Sequence, residues 1–215
     1  TCVSDISIIS QLKDLVSANF SNNSVSRIPN PDKNKNFSEL NLSNNDFKND
    51  TLDFNLYVNM KFLNISNANV GHVKGIENFT AAESILLQNN NISQLPVFTA
   101  KQLNDTKYLN VTYNQLSFSG VSQIPLFKYY GFKEKQVKWY PQDTLRVENN
   151  RRSLNIGEYL SLSYPFDDTV SQLTFEWFKN GAPIPNSNHR TFVIDSFAQE
   201  NAGSYFVKVL CGKPG

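Results

Sequence analysis

The first half of the chain repeats one order of apolar and polar positions. Five six-residue segments have apolar first and third residues, and they occupy residues 18–23, 40–45, 63–68, 85–90 and 109–114. Their last positions are 22, 23, 22 and 24 residues apart, and an apolar residue follows two positions later each time: Val25, Phe47, Val70, Ile92 and Leu116. The alternation predicts a short strand with one buried face in each segment. Because one such strand cannot bury its apolar face alone, we expect the segments to stack into a solenoid with a shared core.

The last position of these segments is Asn in four copies: Asn23, Asn45, Asn90 and Asn114. An amide both donates and accepts hydrogen bonds, which suits backbone groups that lose their partners where the chain leaves a strand. Ala68 stands in this position in the third copy, so we predict a local irregularity there. The full template, L-x-x-L-x-L-x-x-N-x-L, resembles the leucine-rich repeat signature. The resemblance implies a leucine-rich repeat solenoid of short parallel β-strands with an irregular convex side.

Both ends of the array depart from the template. Residues 4–16 are amphipathic and predict a helical or irregular N-terminal cap. A degenerate sixth repeat fits after Pro125 if five residues fill the apolar and asparagine columns: Phe127, Tyr130, Phe132, Lys135 and Val137. The aromatic residues that follow, Trp139 and Tyr140, either close the end of the solenoid or form a platform for a sugar or peptide. The run Tyr140-Pro141-Gln142 resembles the turn that often ends such arrays, and we place this domain at residues 1–140.

After Pro141 the spacing changes to short alternating runs. They lie at residues 159–164, 173–178, 191–194 and 201–207. Asn180-Gly181, just after the second run, is a strong signal for a tight hairpin. No helical pattern interrupts these runs, which predicts an all-β sandwich over residues 141–215.

Two motifs give this second half a resemblance to the immunoglobulin-like fold. Trp177 corresponds to the buried tryptophan of the third strand, and Asn201-Ala202-Gly203-Ser204-Tyr205 matches the tyrosine-corner motif. The family's disulfide is absent, since Val207 stands in the usual cysteine position and Leu160 or Leu162 faces it. From Asp143 onward 73 residues remain, against roughly 100 in a complete domain. We therefore expect the last strand to be missing and the chain to be a fragment of a longer protein.

Composition separates the two halves and argues against several classes of protein. Of 29 asparagines, 22 lie in the first 114 residues, which fits a repeat that demands Asn. A net charge of +1 and a pI near 7.6 argue against a general nucleic-acid binder. No apolar run reaches the roughly 18 residues of a membrane span. Cys2 and Cys211 are too few for a disulfide framework and form no catalytic or metal-ligand pattern with the two histidines. We expect no enzyme activity, no metal and no cofactor.

The exposed strand positions of the solenoid are the best candidate for a binding site. Stacking aligns them in columns on the concave face, where several large side chains stand at positions that the core does not need. The predicted site consists of Glu39, Lys61, Phe62, Asn64, Glu83, Leu86, Lys107, Tyr108, Asn110 and Tyr113. The alternative is a polar, solvated sheet face with scattered apolar residues.

Two further motifs carry weaker functional signals. Ten N-x-S/T sequons are present, and four of them, at Asn19, Asn41, Asn64 and Asn110, occupy one repeat column. Glycans there would block the concave face, so we interpret most sequons as by-products of the repeat. Asp167-Asp168 offers oxygen ligands for a calcium ion, but the neighbouring Pro165 favours a loop between two strands.

Leucine-rich repeats followed by a cysteine-free immunoglobulin-like domain resemble an architecture of bacterial surface and secreted proteins. The resemblance implies an extracellular recognition or adhesion module, secreted or attached to a cell surface. Its partner would be a protein or a glycan bound through the concave repeat face. The alternatives are a structural spacer, or a noncatalytic subunit of a cell-surface assembly or nutrient-capture complex.

Overall fold

The computed structural model describes residues 2–31, 34–99, 102, 106–117, 137–139, 142, 151–164 and 173–211 of the chain. Backbone proximity divides the chain into two compact units, Thr1–Leu145 and Arg146–Gly215. Helix in the described residues is limited to short segments, and three 3₁₀ turns span Ser7–Gln11, Ile76–Asn78 and Gln199–Asn201. The domain boundary between residues 140 and 141 stays a prediction.

Short parallel strands build the first unit. In chain order they are β1 (Ser17–Asn19), β2 (Glu39–Asn41), β3 (Thr51–Asp53), β4 (Phe62–Asn64), β5 (His72–Lys74), β6 (Ser84–Leu86), β7 (Tyr108–Asn110) and β8 (Val137–Lys138). One parallel sheet has the order β1-β2-β4-β6-β7-β8, and β3 pairs with β5 in a second. Each coil therefore hydrogen-bonds to the next, and the predicted solenoid of stacked repeats is confirmed. The β3–β5 pair is new, because the repeat pattern predicted only irregular chain away from the main sheet.

The core of the solenoid follows from the repeat register. The middle residues of four strands are at most 1% exposed: Leu40, Leu63, Ile85 and Leu109. The apolar residues two places later are also fully buried: Leu42, Ile65, Leu87 and Val111. At the N-terminal end Ile6 and Ile9 enter the same core through the first 3₁₀ turn, as the predicted cap requires. Burying one such side chain contributes about 1.5–3 kcal/mol, so each coil depends on its neighbours for stability.

Asparagine side chains join successive coils inside the solenoid. Asn90 Nδ2 donates to the carbonyl oxygens of Ile65 at 2.8 Å and Leu87 at 2.9 Å, and Asn90 Oδ1 accepts from the amide of Val70 at 3.0 Å. Asn45, two coils before, and Asn114, one coil after, repeat this arrangement, with their oxygens on the amides of Val25 and Ile92. The predicted inward role of the ladder asparagines is confirmed. They satisfy backbone groups that the strands leave unpaired.

The coil that ends at Ala68 lacks a ladder side chain. There the Phe47 amide, which corresponds to the amides of Val25, Val70 and Ile92, donates to the backbone carbonyl of Ala68 at 2.9 Å. The predicted irregularity is therefore present, and a backbone oxygen takes the place of the missing amide oxygen.

The sixth coil has a different register from the one predicted. Val137 pairs with Leu109 and occupies the buried middle column of the strands, so its assignment to the last apolar column was wrong. Gln142 takes the ladder position: its Nε2 donates to the Val111 carbonyl at 2.9 Å, and its Oε1 accepts from the Leu116 amide at 3.2 Å. The ladder thus continues 28 residues after Asn114, with Gln replacing Asn. The predicted positions 127, 130, 132 and 135 lie outside the described residues.

A further column of the solenoid adopts a left-handed backbone. The residue before each ladder position has a positive φ, and the column reads Asn22 (58°), Asn44 (55°), Asn67 (53°), Asn89 (57°) and Tyr113 (53°). Asn tolerates this conformation better than other residues that carry a β-carbon, apart from Asp. The asparagine excess therefore has a structural cause in addition to the ladder and the exposed column.

Antiparallel sheets build the second unit. Its strands are β9 (Leu160–Ser163), β10 (Leu173–Lys179), β11 (Ala182–Pro183), β12 (Thr191–Ile194) and β13 (Tyr205–Cys211). They form a three-stranded sheet, β11-β10-β13, and a two-stranded sheet, β12-β9. Asn180 and Gly181 connect β10 to β11 with φ of 49° and 85°, the positive values that a type I′ turn requires. The predicted hairpin is confirmed.

An aromatic cluster joins these two sheets. Trp177 is 4% exposed, its Nε1 donates to the His189 carbonyl at 2.9 Å, and its ring lies 5.9 Å from that of Phe192. The Tyr205 ring, on the same sheet as Trp177, also lies 5.9 Å from that of Phe192 on the two-stranded sheet, and its hydroxyl donates to the carbonyl of Asn201. The indole N–H of Trp177 and the hydroxyl of Tyr205 therefore both have hydrogen-bond acceptors, as the polar groups of packed Trp and Tyr side chains usually do.

Candidate functional site

The predicted columns lie side by side on the exposed face of the six-stranded sheet. The register aligns the first strand residues as Ser17, Glu39, Phe62, Ser84 and Tyr108, and the third as Asn19, Asn41, Asn64, Leu86, Asn110 and Lys138. Because alternate residues of a strand point to opposite faces, both columns point away from the buried middle residues. We call this surface the sheet face. Adjacent strands are about 4.8 Å apart, so Phe62 and Tyr108 stand about 10 Å apart with Ser84 between them.

The asparagines of the sheet face form hydrogen bonds with the residue two positions later in the same coil. Asn64 Oδ1 accepts the backbone amide of Ser66 at 3.0 Å and the Ser66 hydroxyl at 2.7 Å. Asn41 does the same with Ser43, and Asn110 with Thr112. Each N-x-S/T sequence in this column is thus a local turn motif in which the side chain mimics a backbone acceptor. The sequons in this column therefore have a structural use.

Apolar and cationic groups meet at one end of the sheet face. Phe62, Leu86 and Tyr108 are all partly exposed. Lys138 Nζ lies 5.8 Å from the ring centroid of Tyr108, within range of a cation–π interaction. Sequence reasoning missed Lys138 because the sixth repeat was placed in the wrong register. The signal was available: Gln142 follows Val137 by five residues, the interval that separates Leu109 from Asn114.

A row of charges flanks the first column. Lys61, Glu83 and Lys107 directly precede β4, β6 and β7, and the amides of Glu83 and Lys107 donate to the carbonyls of the preceding members of the row. Lys107 Nζ lies 2.6 Å from Glu83 Oε2. The hydrogen bond from Lys107 lowers the pKa of the exposed Glu83 carboxyl, and the charges of Lys107 and Lys61 lower it further. Glu83 therefore stays ionised and holds Lys107, while Lys61 presents its charge to solvent.

Two members of the predicted site stand apart from this cluster. Glu39 begins β2 and is exposed, on the strand before Phe62. Tyr113 lies in the loop after β7, in the left-handed column, and is 46% exposed. It borders a shallow open depression lined by Asn67, Asn69, Asn89, Asn90 and Asn91. The sheet face therefore contains six of the ten predicted residues: Glu39, Phe62, Asn64, Leu86, Tyr108 and Asn110. Lys61, Glu83 and Lys107 flank its first column, and Tyr113 belongs to a neighbouring surface.

Other candidate chemistry is sparse in the described residues. They contain no group of three or more His, Cys, Asp or Glu side chains that could hold a metal ion. Asp167 and Asp168, the proposed calcium ligands, lie outside them. Cys2 is an exposed free thiol. In the described part of the chain, no helix has the length and apolar character needed to cross a bilayer.

Comparison with known proteins gives one short likeness to report. The chain is 36% identical over 61 residues to the decoration protein of Escherichia phage T5. That stretch is 28% of this chain and 37% of the phage protein, so the chain spans well under half of that relative's length. No family model matches the chain. No solved structure matches it significantly.

Proposed function

We propose that this chain is an extracellular, noncatalytic recognition or adhesion module that binds a protein or glycan partner through the sheet face. In this proposal the first unit is a leucine-rich repeat domain and the second an immunoglobulin-like domain. The coil template, the inward asparagine ladder and the parallel sheet support the first assignment. The buried Trp177 and the hydrogen bond from Tyr205 to Asn201 support the second.

The observation that carries the proposal is the row of Phe62, Leu86 and Tyr108 on the sheet face. An isolated exposed apolar residue is ordinary, but these three lie within three adjacent strands of one rigid sheet. Aromatic residues at the centre of a contact surface supply much of the binding energy in protein interfaces. Parallel strands fix their spacing, so little side-chain and backbone freedom is lost when a partner binds.

The charges around this row support a partner with a mixed surface. Lys61 lies in the same coil as Phe62, Lys138 lies in the coil after that of Tyr108, and the Lys107–Glu83 pair lies between them along the stacking direction. Rim charges of this kind steer association and set orientation more than they add affinity. We expect the association rate to fall with ionic strength, and the dissociation rate to depend on the aromatic row.

Site-specific photo-crosslinking tests the proposal. A benzophenone amino acid replaces Phe62 in one protein and Leu56 in another; Leu56 is 56% exposed and lies outside the six-stranded sheet. Both proteins are illuminated in the native cell envelope or secreted fraction. We expect one discrete adduct from position 62 and none from position 56.

A binding measurement with the captured partner completes the test. The double variant Phe62→Ala and Tyr108→Ala should weaken binding by a factor of about a hundred, the effect of losing about 2–3 kcal/mol of aromatic contact. The Lys74→Ala variant is the matched surface control, since Lys74 forms an exposed ion pair with Asp53 on the other sheet. An unchanged affinity of the double variant would refute the role of the sheet face.

The likeness to a phage decoration protein favours one alternative. That relative is named a decoration protein. By analogy, this chain would be a structural spacer or a noncatalytic subunit of a surface assembly or nutrient-capture complex. In that case the ends of the chain hold it in place and the sheet face stays free. Crosslinks would then form from Trp139 or from Tyr159 in the second unit, which are 42% and 60% exposed, and not from position 62.

A further inference from the structure

Within the described part of the chain, Tyr113 is the one residue other than Asn in the column of the solenoid that has a left-handed backbone conformation. The four preceding members are Asn, and all five have φ between 53° and 58°. A bulky side chain in the left-handed region costs energy that Asn largely avoids. Strain of this kind points to a function when the residue that bears it is exposed and the fold does not need its side chain. Tyr113 meets both conditions, since 46% of it is exposed and the core cluster does not include it.

Tyr113 borders a polar depression that we call the asparagine depression, lined by Asn67, Asn69, Asn89, Asn90, Asn91 and Tyr113. Within the described residues, the side-chain amides of Asn67 and Asn89 and the hydroxyl of Tyr113 have no hydrogen-bond partner. The backbone amides of Asn67 and Asn89 donate to the carbonyl oxygens of Gln88 and Thr112 in the coils that follow, both at 3.0 Å. These three side chains therefore stand on consecutive coils, with a spacing of about 4.8 Å.

A second row of amides beside them has a fixed orientation. Gln115 Nε2 donates to Asn91 Oδ1 at 3.2 Å, Asn91 Nδ2 to Asn69 Oδ1 at 2.7 Å, and Asn69 Nδ2 to Asp46 Oδ1 at 2.8 Å. The Asp46 carboxylate at the end of the row can only accept, so it sets the direction of every hydrogen bond in the row. The hydrogen bond from Asn69 lowers the pKa of Asp46 and keeps this acceptor ionised. Each amide in the row retains one donor and one acceptor direction at fixed positions.

We propose that the asparagine depression is a binding site for a neutral carbohydrate, with Tyr113 as the stacking surface and Asn67 and Asn89 as hydrogen-bonding groups. The aliphatic C–H face of a pyranose ring packs on the electron-rich face of an aromatic ring. Amides that donate and accept at the same time match the paired hydroxyls of a sugar. All six lining side chains are uncharged, so the site has no group that would select an anion. This site is distinct from the sheet face and does not rest on the function proposed above.

NMR titration of the isotope-labelled protein tests the proposal with four neutral oligosaccharides: cellohexaose, maltohexaose, chitohexaose and mannohexaose. We expect at least one of them to shift the side-chain amide signals of Asn67 and Asn89 in a saturable manner. Tyr113→Asn should weaken that binding at least about tenfold, equivalent to about 1.4 kcal/mol. Tyr113→Phe, which keeps the ring, should bind within about threefold of the natural protein.

The same variants separate binding from stability. Tyr113→Asn restores the residue that the column prefers, so its thermal unfolding midpoint should equal or exceed that of the natural protein although binding is lost. Tyr159→Ala removes a comparably exposed tyrosine from the second unit and should leave binding unchanged. The proposal is overturned if none of the four sugars shifts these signals, or if Tyr113→Asn binds as well as the natural protein.

Discussion

Replacing Asn90 by Ala removes the best-connected side chain of the ladder. Asn90 is 3% exposed, and its amide oxygen accepts from the backbone amides of Ala68 at 3.1 Å and Val70 at 3.0 Å. Its nitrogen donates to the carbonyl of Ile65 at 2.8 Å. The Leu87 carbonyl, also bound by Asn90, keeps a second donor from Asn114 Nδ2 at 2.9 Å. The substitution therefore leaves three buried backbone groups without the side chain that satisfies them.

The expected loss of stability follows from that count. An unsatisfied buried donor or acceptor costs about 1–3 kcal/mol, and three of them, partly relieved by water in the vacated space, cost about 3–6 kcal/mol. Asn91→Ala is the matched control, because Asn91 is the next residue and its side chain bonds only to other surface amides. Its loss should cost less than about 1 kcal/mol, since water replaces those partners.

Urea unfolding followed by far-ultraviolet circular dichroism measures the free energy of unfolding of both variants. Hydrogen exchange, read residue by residue, should show faster exchange at the amides of Ala68 and Val70 in Asn90→Ala alone. A loss within about 1 kcal/mol of the Asn91→Ala value would refute the reasoning. It would mean that water or a backbone shift replaces the ladder side chain at little cost.

Three further predictions concern particular residues. Gly75→Ala should lower the free energy of unfolding by more than about 2 kcal/mol, because a β-carbon at φ 86° would lie 2.2 Å from a backbone nitrogen of the neighbouring coil. Gly157 has a similar φ of 89° but open space around it, so Gly157→Ala should cost about half as much stability, as measured by thermal unfolding. Burial raises the pKa of the Tyr57 hydroxyl, so its contribution to stability is constant below the unfolded pKa of about 10 and falls at higher pH. When the pH rises from about 9.5 to about 11.5, the free energy of unfolding should therefore fall less in Tyr57→Phe than in the natural protein. An equal fall in the two proteins would contradict this. Gln142→Ala should cost about 1–3 kcal/mol in urea unfolding, since it leaves the buried Leu116 amide unpaired, whereas no loss would argue against Gln142 as the sixth ladder residue.

The exposed face of the sheet was predictable because its register repeats. Leu40 and Leu63 alternate with polar neighbours at a constant interval, and a constant interval in stacked coils brings equivalent residues together. The columns that contain Phe62 and Tyr108 follow directly from that interval. Whether those residues bind a partner is not encoded in the periodicity, since a solvated face would have the same spacing.

Lys138 and Tyr113 show where this reasoning stopped. Lys138 lies between the ladder positions Asn114 and Gln142, and their 28-residue interval exceeds the 22–24 residues of the other coils, so the template was aligned in the wrong register. Pairing of Val137 with Leu109 depends on backbone groups of the preceding coil, which no local pattern contains. The strain at Tyr113 was equally hidden, because a residue's φ is set by the coil in which it lies rather than by its own identity.

The sequence by itself determined the stacked repeats, the inward ladder asparagines, the irregularity at Ala68 and the hairpin at Asn180-Gly181. Each depends on a local signal: a period, an amide at a fixed position, or a residue pair that accepts positive φ. Only the tertiary structure decided the β3–β5 sheet and the orientation of the surface amides. These depend on which donors and acceptors of one coil meet those of the next, and that matching is a property of the packed chain rather than of any one segment.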